Sequence, residues 1–147
     1  MPVDVTTEIV IDRSRDAVAA YSADPDNAPA WYANIKTAAL ITPPPVRVGS
    51  RTEFRAKFLG RNITYTYDIV EFVPGERLVM QTTEGQTRWV TTYTWESVDG
   101  GKNTRMTLRN YGEPGVFASV AKPLLVRSMR RATESSLRRL KEILERT

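Results

Sequence analysis

The chain contains neither cysteine nor histidine among its 147 residues. Without cysteine it can form no disulfide, thiolate metal site, iron–sulfur cluster or thiol nucleophile. Without histidine it has no Ser-His-Asp triad, few ways to hold zinc, and no side chain that ordinarily titrates near neutral pH. We therefore predict no metal and no cofactor, and any catalysis has to use tyrosine, carboxylate, lysine, arginine or bound water.

Long hydrophobic runs are also absent. No apolar stretch approaches the roughly 20 residues that a membrane-spanning helix needs, and the N-terminal residues lack the basic-then-apolar pattern of a secretory signal. A hydrophobic content of 41% and a charged content of 26% are ordinary for a globular protein. We predict one domain over residues 1–147, located in the cytoplasm.

Excess positive charge is confined to the C-terminal segment. Residues 122–147 hold 8 basic and 3 acidic side chains, whereas residues 1–121 hold 13 and 14. We interpret this segment as a helix with a solvated face that pairs locally with Glu134 and Glu142. An anionic membrane surface is the alternative partner, nucleic acid is disfavoured, and the chain is expected to be a monomer or homodimer. The basic residues concerned are Arg127, Arg130, Arg131, Arg138, Arg139 and Lys141.

The N-terminal pattern predicts one strand and two short helices. Apolar residues alternate with polar ones over residues 3–11, which is the period of a strand with one solvated face. Ser14 is a good N-cap for a short helix that contains Val18 and Tyr21. Asp24 would cap a second helix, with Pro25 at its first position and Trp31 and Tyr32 further along.

The middle of the chain predicts six further strands. Their expected ranges are 35–41, 51–59, 61–72, 77–83, 88–98 and 103–111, separated by proline- and glycine-containing turns that include one at Gly85. The alternation fails at Ile69-Val70, so we expect a β-bulge there. Arginines of these strands, such as Arg109, fall on the polar faces and are expected to be solvated.

The last segment changes to helical spacing. Its apolar and small residues recur at steps of three and four, which predicts an amphipathic helix of roughly 30 residues. Pro123 would lie inside this helix and bend it. The expected inward stripe is Phe117, Val120, Ala121, Leu124, Ser128, Ala132, Ser136, Leu140 and Leu144. On this assignment, Leu124→Arg would place an unpaired charge in the core and either prevent folding or empty the cavity.

The order of elements, β-α-α-β6-α, predicts an α+β fold. A twisted seven-stranded antiparallel sheet has one apolar face to cover, and only the final helix is long enough to cover it. We expect a curved sheet wrapped around this long C-terminal helix.

The whole chain resembles the START-like, or SRPBCC, superfamily of polyketide cyclases and dehydrases, coenzyme-Q-binding proteins and pollen-allergen-type carriers. The resemblance rests on the element order, Trp31, and three segments: residues 9–14 (Ile-Val-Ile-Asp-Arg-Ser), 71–78 (Glu-Phe-Val-Pro-Gly-Glu-Arg-Leu) and 99–105 (Asp-Gly-Gly-Lys-Asn-Thr-Arg). It implies the helix-grip fold. It also implies binding of a lipid, a polyketide or another hydrophobic molecule between sheet and helix, although fold alone does not transfer function.

The apolar face of the predicted sheet is rich in aromatic residues, and the helix opposite carries small ones. Bulky rings facing small side chains would leave an internal cavity for a flat or elongated ligand, whereas the alternative is a solid core. Whether Trp89 or Trp95 faces the cavity stays open. The predicted ligand-binding residues are Trp31, Phe54, Phe58, Tyr65, Tyr67, Met80, Tyr93, Met106, Leu108, Phe117, Ala121, Leu124 and Ser128.

Three functions are compatible with this reading. The first is binding of a small hydrophobic molecule, and the second is a cyclase, aromatase or dehydrase that uses tyrosine or water as acid and base. The third is a protein-interaction or regulatory module that uses the outer face of the sheet or the basic helix. The hydroxyls of Tyr65, Tyr67 and Tyr93 would either orient a ligand or bond to neighbouring protein groups. Trp31 and Tyr32 would form a lid or a hydrophobic plug.

Overall fold

A computed structural model describes residues 2–83 and 88–146, and the side chain of Val116 is not described. The turn predicted at Gly85 lies outside these residues. The seven strands are β1 (Val3–Ile11), β2 (Ile35–Leu40), β3 (Arg51–Phe58), β4 (Arg61–Val73), β5 (Arg77–Thr82), β6 (Trp89–Val98) and β7 (Asn103–Gly112). The α-helices are α1 (Arg15–Ala23), α2 (Ala28–Trp31) and α3 (Lys122–Glu145), and 3-10 turns occupy Pro25–Asn27, Asp99–Gly101 and Gly115–Phe117.

The strands form one antiparallel sheet in the order β1-β7-β6-β5-β4-β3-β2. Every pair is antiparallel, and the register shifts between Ile69 and Glu71, where the bulge was predicted. One face of the curled sheet is buried against α3, as in the expected helix-grip fold. The predicted α+β architecture is therefore confirmed.

Side-chain hydrogen bonds cap the first N-terminal helix and attach the N-terminal segment to this frame. Ser14 caps α1 as predicted, accepting from the backbone N–H of Ala17. The indole Nε1 of Trp95 donates to the Ser22 hydroxyl at 3.0 Å, which fixes α1 on β6. The Ser136 hydroxyl of α3 accepts from the backbone N–H of Ala33 at 2.8 Å. This last bond holds the segment after α2 against the long helix.

The long helix begins later than the spacing predicted. α3 starts at Lys122, so Pro123 lies in its first turn, where proline is well tolerated, and the expected bend inside the helix is wrong. The preceding residues form a separate 3-10 turn and are out of phase with α3. As a result Leu125 is buried, at 1% exposure, while Leu124 is 56% exposed. Our expectation that Leu124→Arg would disrupt the core is therefore also wrong.

The outer face of the sheet carries solvated ion pairs. Arg105 contacts Glu96 across β6 and β7 at 2.7 Å, and Arg109 forms a two-pronged pair with Asp4 at 2.7 and 2.8 Å. On α3, Lys141 pairs with Glu145, whereas the expected local partners Glu134 and Glu142 form no ion pair with a described residue. Such exposed pairs contribute little to stability, typically about 0–1 kcal/mol each. Within the described ranges, no helix is both long and apolar enough to span a membrane.

Gly112 is the residue in the sheet that tolerates a side chain least. It lies opposite Trp89 in β6 and Val3 in β1. A β-carbon here would lie 2.1 Å from the carbonyl oxygen of Arg88 and 2.9 Å from the Trp89 ring. The backbone has to be displaced to relieve the first of these contacts.

We therefore expect Gly112→Ala to destabilise the protein by about 1–3 kcal/mol, the usual range for overpacking. The melting temperature should fall by roughly 2–4 °C per kcal/mol. Because the clash also pushes on the Trp89 ring, the tryptophan fluorescence should change at temperatures well below the melting transition. A variant with unchanged melting and unchanged emission would contradict this account of Gly112.

Candidate functional site

A cavity of about 120 Å³ lies between the sheet and the first half of α3. It occupies the gap between two apolar clusters. One contains Leu137, Leu140 and Leu144 of the second half of α3, and the other contains Leu125 and Phe117. The cavity is lined by Tyr32, Asn34, Ile35, Phe54, Ala56, Phe58, Tyr65, Tyr67, Met80, Trp89, Thr91, Tyr93, Asn110, Phe117, Leu125, Met129, Ala132 and Thr133.

Aromatic rings in edge-to-face contact form much of the wall. Phe58 packs on Phe117 with ring centroids 5.3 Å apart, and Phe54 packs on Tyr67 at 5.6 Å. Because each such ring is held by its neighbour, the rings do not simply collapse into the space between them. On the helix side, Ala132 and Thr133 present small side chains to this wall. Large rings thus face small residues, as the sequence pattern suggested.

The lining includes Phe54, Phe58, Tyr65, Tyr67, Met80, Tyr93 and Phe117 of the residues that were predicted to bind a ligand. Trp31, Met106 and Leu108 are fully buried in the surrounding core and do not line the cavity. Ala121, Leu124 and Ser128 were misplaced. The first two are exposed and Ser128 is half-buried away from the cavity, because the predicted stripe was carried into the start of α3 from the turn before Lys122. Further along α3 the same stripe is correct: Ala132 lines the cavity, and Ser136, Leu140 and Leu144 are buried.

Several lining residues were not among the predicted ones, although the strand alternation contained the signal for four of them: Ala56, Trp89, Thr91 and Asn110. Thr91 shares a face of β6 with Trp89 and Tyr93, and Asn110 follows Leu108 by two residues on β7. Trp89 lines the cavity, while Trp95 packs against α1 instead. The contribution of Tyr32, Asn34 and Ile35 depends on where the chain turns after α2, which the periodicity of the sequence does not specify.

A short hydrogen-bonded array crosses the cavity wall. The Thr91 hydroxyl donates to the side-chain oxygen of Asn110 at 2.7 Å, and the Asn110 amide nitrogen donates to the Tyr32 hydroxyl oxygen at 3.4 Å. Thr91 and Asn110 are 4% and 8% exposed. We call these three residues the Tyr32 array. They are the polar groups that β6, β7 and the segment after α2 bring together inside an apolar wall.

Burial keeps the tyrosine hydroxyls of the cavity protonated. It raises the pKa of Tyr65 to about 12 and the pKa of Tyr93 well above its ordinary value, and nearby Tyr32 adds to both shifts. Burial likewise raises the pKa of Tyr67, against a smaller opposing effect of a hydrogen bond with Thr91. Tyr32 is half-buried overall, but its enclosed hydroxyl also has a raised pKa, opposed in part by Asn110. These groups are hydrogen-bond donors, not bases, at neutral pH.

Charged side chains are absent from the lining formed by the described residues. The polar atoms in the wall belong to tyrosine, tryptophan, threonine and asparagine, and Met80 and Met129 supply polarisable sulfur. A carboxylate or an ammonium group brought into this space would lose hydration without gaining a counterion. The site is therefore suited to a small neutral molecule.

A family model described as polyketide cyclase / dehydrase and lipid transport matches residues 2–145. The chain belongs to this family. Its members include START-like, or SRPBCC, proteins, so the resemblance found in the sequence is confirmed. No curated protein sequence matched the chain.

Solved structures share the fold of this chain. The Zhui aromatase/cyclase from Streptomyces is 12% identical with a TM-score of 0.83, over 99% of this chain and 95% of that one. A START superfamily protein from Mycobacterium smegmatis is 13% identical with a TM-score of 0.81, over 97% of each chain. A protein from Thermus thermophilus is 18% identical with a TM-score of 0.81, also over 97% of each. At these identities the likeness establishes the fold alone.

Proposed function

We propose that this protein binds a small, uncharged hydrophobic molecule in the cavity between the sheet and α3. The observation that carries the proposal is the cavity of about 120 Å³ with an aromatic wall and no charged residue in its described lining. The family description, which includes lipid transport, and the fold shared with START proteins support the same function.

The cavity volume sets the scale of the ligand. An engineered apolar cavity of about 150 Å³ binds benzene, whereas sites for drug-sized ligands span about 300–1,000 Å³. A space of about 120 Å³ fits one small ring or a short chain without rearrangement of the wall. A multi-ring polyketide would need the wall to open, for example by movement of the half-buried Tyr32, Asn34 and Ile35.

Thermal melting and tryptophan fluorescence test this proposal directly. Trp89 lines the cavity, so a bound ring should change its emission. We expect benzene or ethylbenzene to raise the melting temperature progressively with concentration, because a ligand that binds only the folded state stabilises it by RT ln(1 + [L]/Kd). If benzene, ethylbenzene, naphthalene and octanol all leave melting and emission unchanged, the proposal fails.

A matched pair of substitutions separates the cavity from the rest of the helix. Ala132→Leu enlarges a side chain that lines the cavity. Ala121→Leu makes the same change at the exposed N-terminal end of α3. Ala132→Leu should weaken ethylbenzene binding at least about tenfold, since it occupies much of the free space, while Ala121→Leu should bind like the original protein. Equal binding by both variants would place the ligand outside the cavity.

An aromatase or cyclase activity is the second candidate function. The observation that favours it is the Tyr32 array, which could hold the oxygen of a reactive ketone. However, raised pKa values keep the cavity phenols protonated, and the described lining offers no carboxylate or lysine as a base. Catalysis would then depend on substrate positioning and water, which makes binding the better-supported function.

A further inference from the structure

The direction of the hydrogen bonds leaves a donor free at one end of the Tyr32 array. Thr91 uses its hydroxyl proton on the Asn110 oxygen, and Asn110 uses an amide proton on the Tyr32 oxygen. The Tyr32 oxygen is thus already an acceptor, and its own proton has no acceptor among the described residues. This proton is the group that the array can offer to a bound molecule.

Other donors in the same cavity are unused as well. The hydroxyls of Tyr65 and Tyr93 make no hydrogen bond to a described residue. The Nε1–H of Trp89, a residue that is only 6% exposed, is buried without a partner among the described residues. Buried donors are normally paired, and those that are not point to a missing partner such as water or a ligand. The Tyr65 and Tyr93 hydroxyls can accept as well as donate, whereas the Tyr32 oxygen already accepts from Asn110, so Tyr32 is the hydroxyl of the cavity that is set to donate.

The complementary ligand is one that accepts without carrying charge. A carboxylate would accept, but no cation in the described lining would balance it. An ammonium group can only donate, and an alcohol divides its oxygen between donating and accepting. A ketone or aldehyde oxygen only accepts and has two lone pairs, which suits a polar end whose free group is the Tyr32 hydroxyl proton.

We propose that the cavity selects a neutral carbonyl compound, whose oxygen accepts a hydrogen bond from the Tyr32 hydroxyl at the end of the Tyr32 array. This inference rests on the proposed function, because it names the polar end of the small hydrophobic ligand. The ring or chain of the ligand then lies along the apolar wall formed by Phe54, Phe58 and Leu125.

Acetophenone and ethylbenzene test the carbonyl, because the two compounds share a phenyl ring and a two-carbon substituent and differ in the oxygen. We expect acetophenone to bind about tenfold more tightly than ethylbenzene, as measured by titration of tryptophan fluorescence and by ligand-observed NMR. The alcohol 1-phenylethanol should fall between them. Benzoate and benzylamine should bind more weakly than acetophenone.

Tyr32→Phe removes the proposed donor and keeps the ring. It should reduce the preference for acetophenone over ethylbenzene to about twofold or less, while ethylbenzene binding stays within about twofold of the original. Tyr111→Phe is the matched control, because Tyr111 is exposed on the outer face beside Arg109, and it should keep the full preference.

The outcomes separate the inference from the proposed function. If neither acetophenone nor ethylbenzene binds, the proposed function fails. If both bind with equal affinity, or if benzoate binds most tightly, the ligand site stands and the carbonyl inference is overturned. If Tyr32→Phe keeps the full preference for acetophenone, another donor holds the oxygen and the role given to Tyr32 is wrong.

Discussion

Leu125→Arg should abolish stable folding, whereas Leu124→Arg should leave the melting temperature nearly unchanged. The two leucines are adjacent on α3, but Leu125 is 1% exposed and Leu124 is 56% exposed. Leu125 packs in the cluster with Val3, Val5 and Phe117, and no acidic side chain lines the neighbouring cavity in the described part of the chain. An arginine at position 125 would therefore be buried without a counterion.

The magnitudes decide the outcome. Burying an unpaired charge costs several kcal/mol, and a domain of ordinary stability has only about 5–15 kcal/mol in total. A substitution on the exposed face of a helix usually changes stability by less than about 0.5 kcal/mol. Thermal melting followed by circular dichroism compares the two variants directly, with identical side chains at neighbouring positions.

The long arginine side chain of Leu125→Arg can reach solvent and so reduce the loss of stability, which a second substitution with a short charged side chain prevents. Leu125→Asp carries its charge on a short side chain that cannot snorkel, so it should be at least as damaging as Leu125→Arg. Leu124→Asp is its matched control and should melt like the original protein. If the variants at position 124 lost more stability than those at position 125, the face of α3 that meets the sheet would be misassigned by about 100°, the rotation per residue of an α-helix.

The same pair of residues illustrates what could and could not be predicted from sequence. The strands were predictable because alternation has a period of two and each strand has only two faces, so Phe54, Tyr67, Tyr93 and Leu108 were placed on the buried face correctly. A helix can face its neighbour in more than two orientations about its axis. The predicted stripe extended the spacing of Phe117 and Val120 into α3, although the chain is not helical between those residues and the start of α3. With α3 beginning at Lys122, the inward face starts with Leu125 and Met129 instead of Leu124 and Ser128, and it joins the predicted stripe from Ala132 onward.

The polar residues of the cavity could not be predicted from the sequence pattern of any single strand or helix. Thr91 and Asn110 meet because β6 pairs directly with β7, with these two residues opposite each other. Tyr32 reaches them only because the segment after α2 is held to α3 by the bond between Ala33 and Ser136. Periodicity identifies buried positions within one element, but it does not identify which polar side chains of different elements converge.

Alkaline pH should unfold the protein steeply, because the cavity encloses four neutral tyrosines. Burial is the largest cause of the raised pKa of Tyr32, Tyr65, Tyr67 and Tyr93. In the unfolded chain each phenol titrates near its ordinary value of 10.0. The stability that these groups contribute is therefore complete below pH 10 and is lost as the pH rises above it, because the unfolded state then binds fewer protons.

The loss approaches about 1.4 kcal/mol per pH unit for each tyrosine that stays protonated when folded. For Tyr65 the loss ends near pH 12, where its pKa lies in the folded state. Four such groups together exhaust an ordinary stability of about 5–15 kcal/mol within roughly one to three pH units above 10. Urea denaturation at a series of pH values should show this fall of the unfolding free energy with pH. Tyr93→Phe should make the fall per pH unit smaller by the contribution of one tyrosine.

Phenolate absorbance provides the control, because it reports ionisation independently of unfolding. The chain has six tyrosines, and below pH 12 the four in the cavity should ionise only as far-ultraviolet circular dichroism is lost. Just below the unfolding transition, the absorbance should therefore correspond to no more than two phenolates. Full ionisation of all six in a protein that is still folded would mean that the cavity is hydrated and open, and an apolar binding site of the kind described would then be excluded.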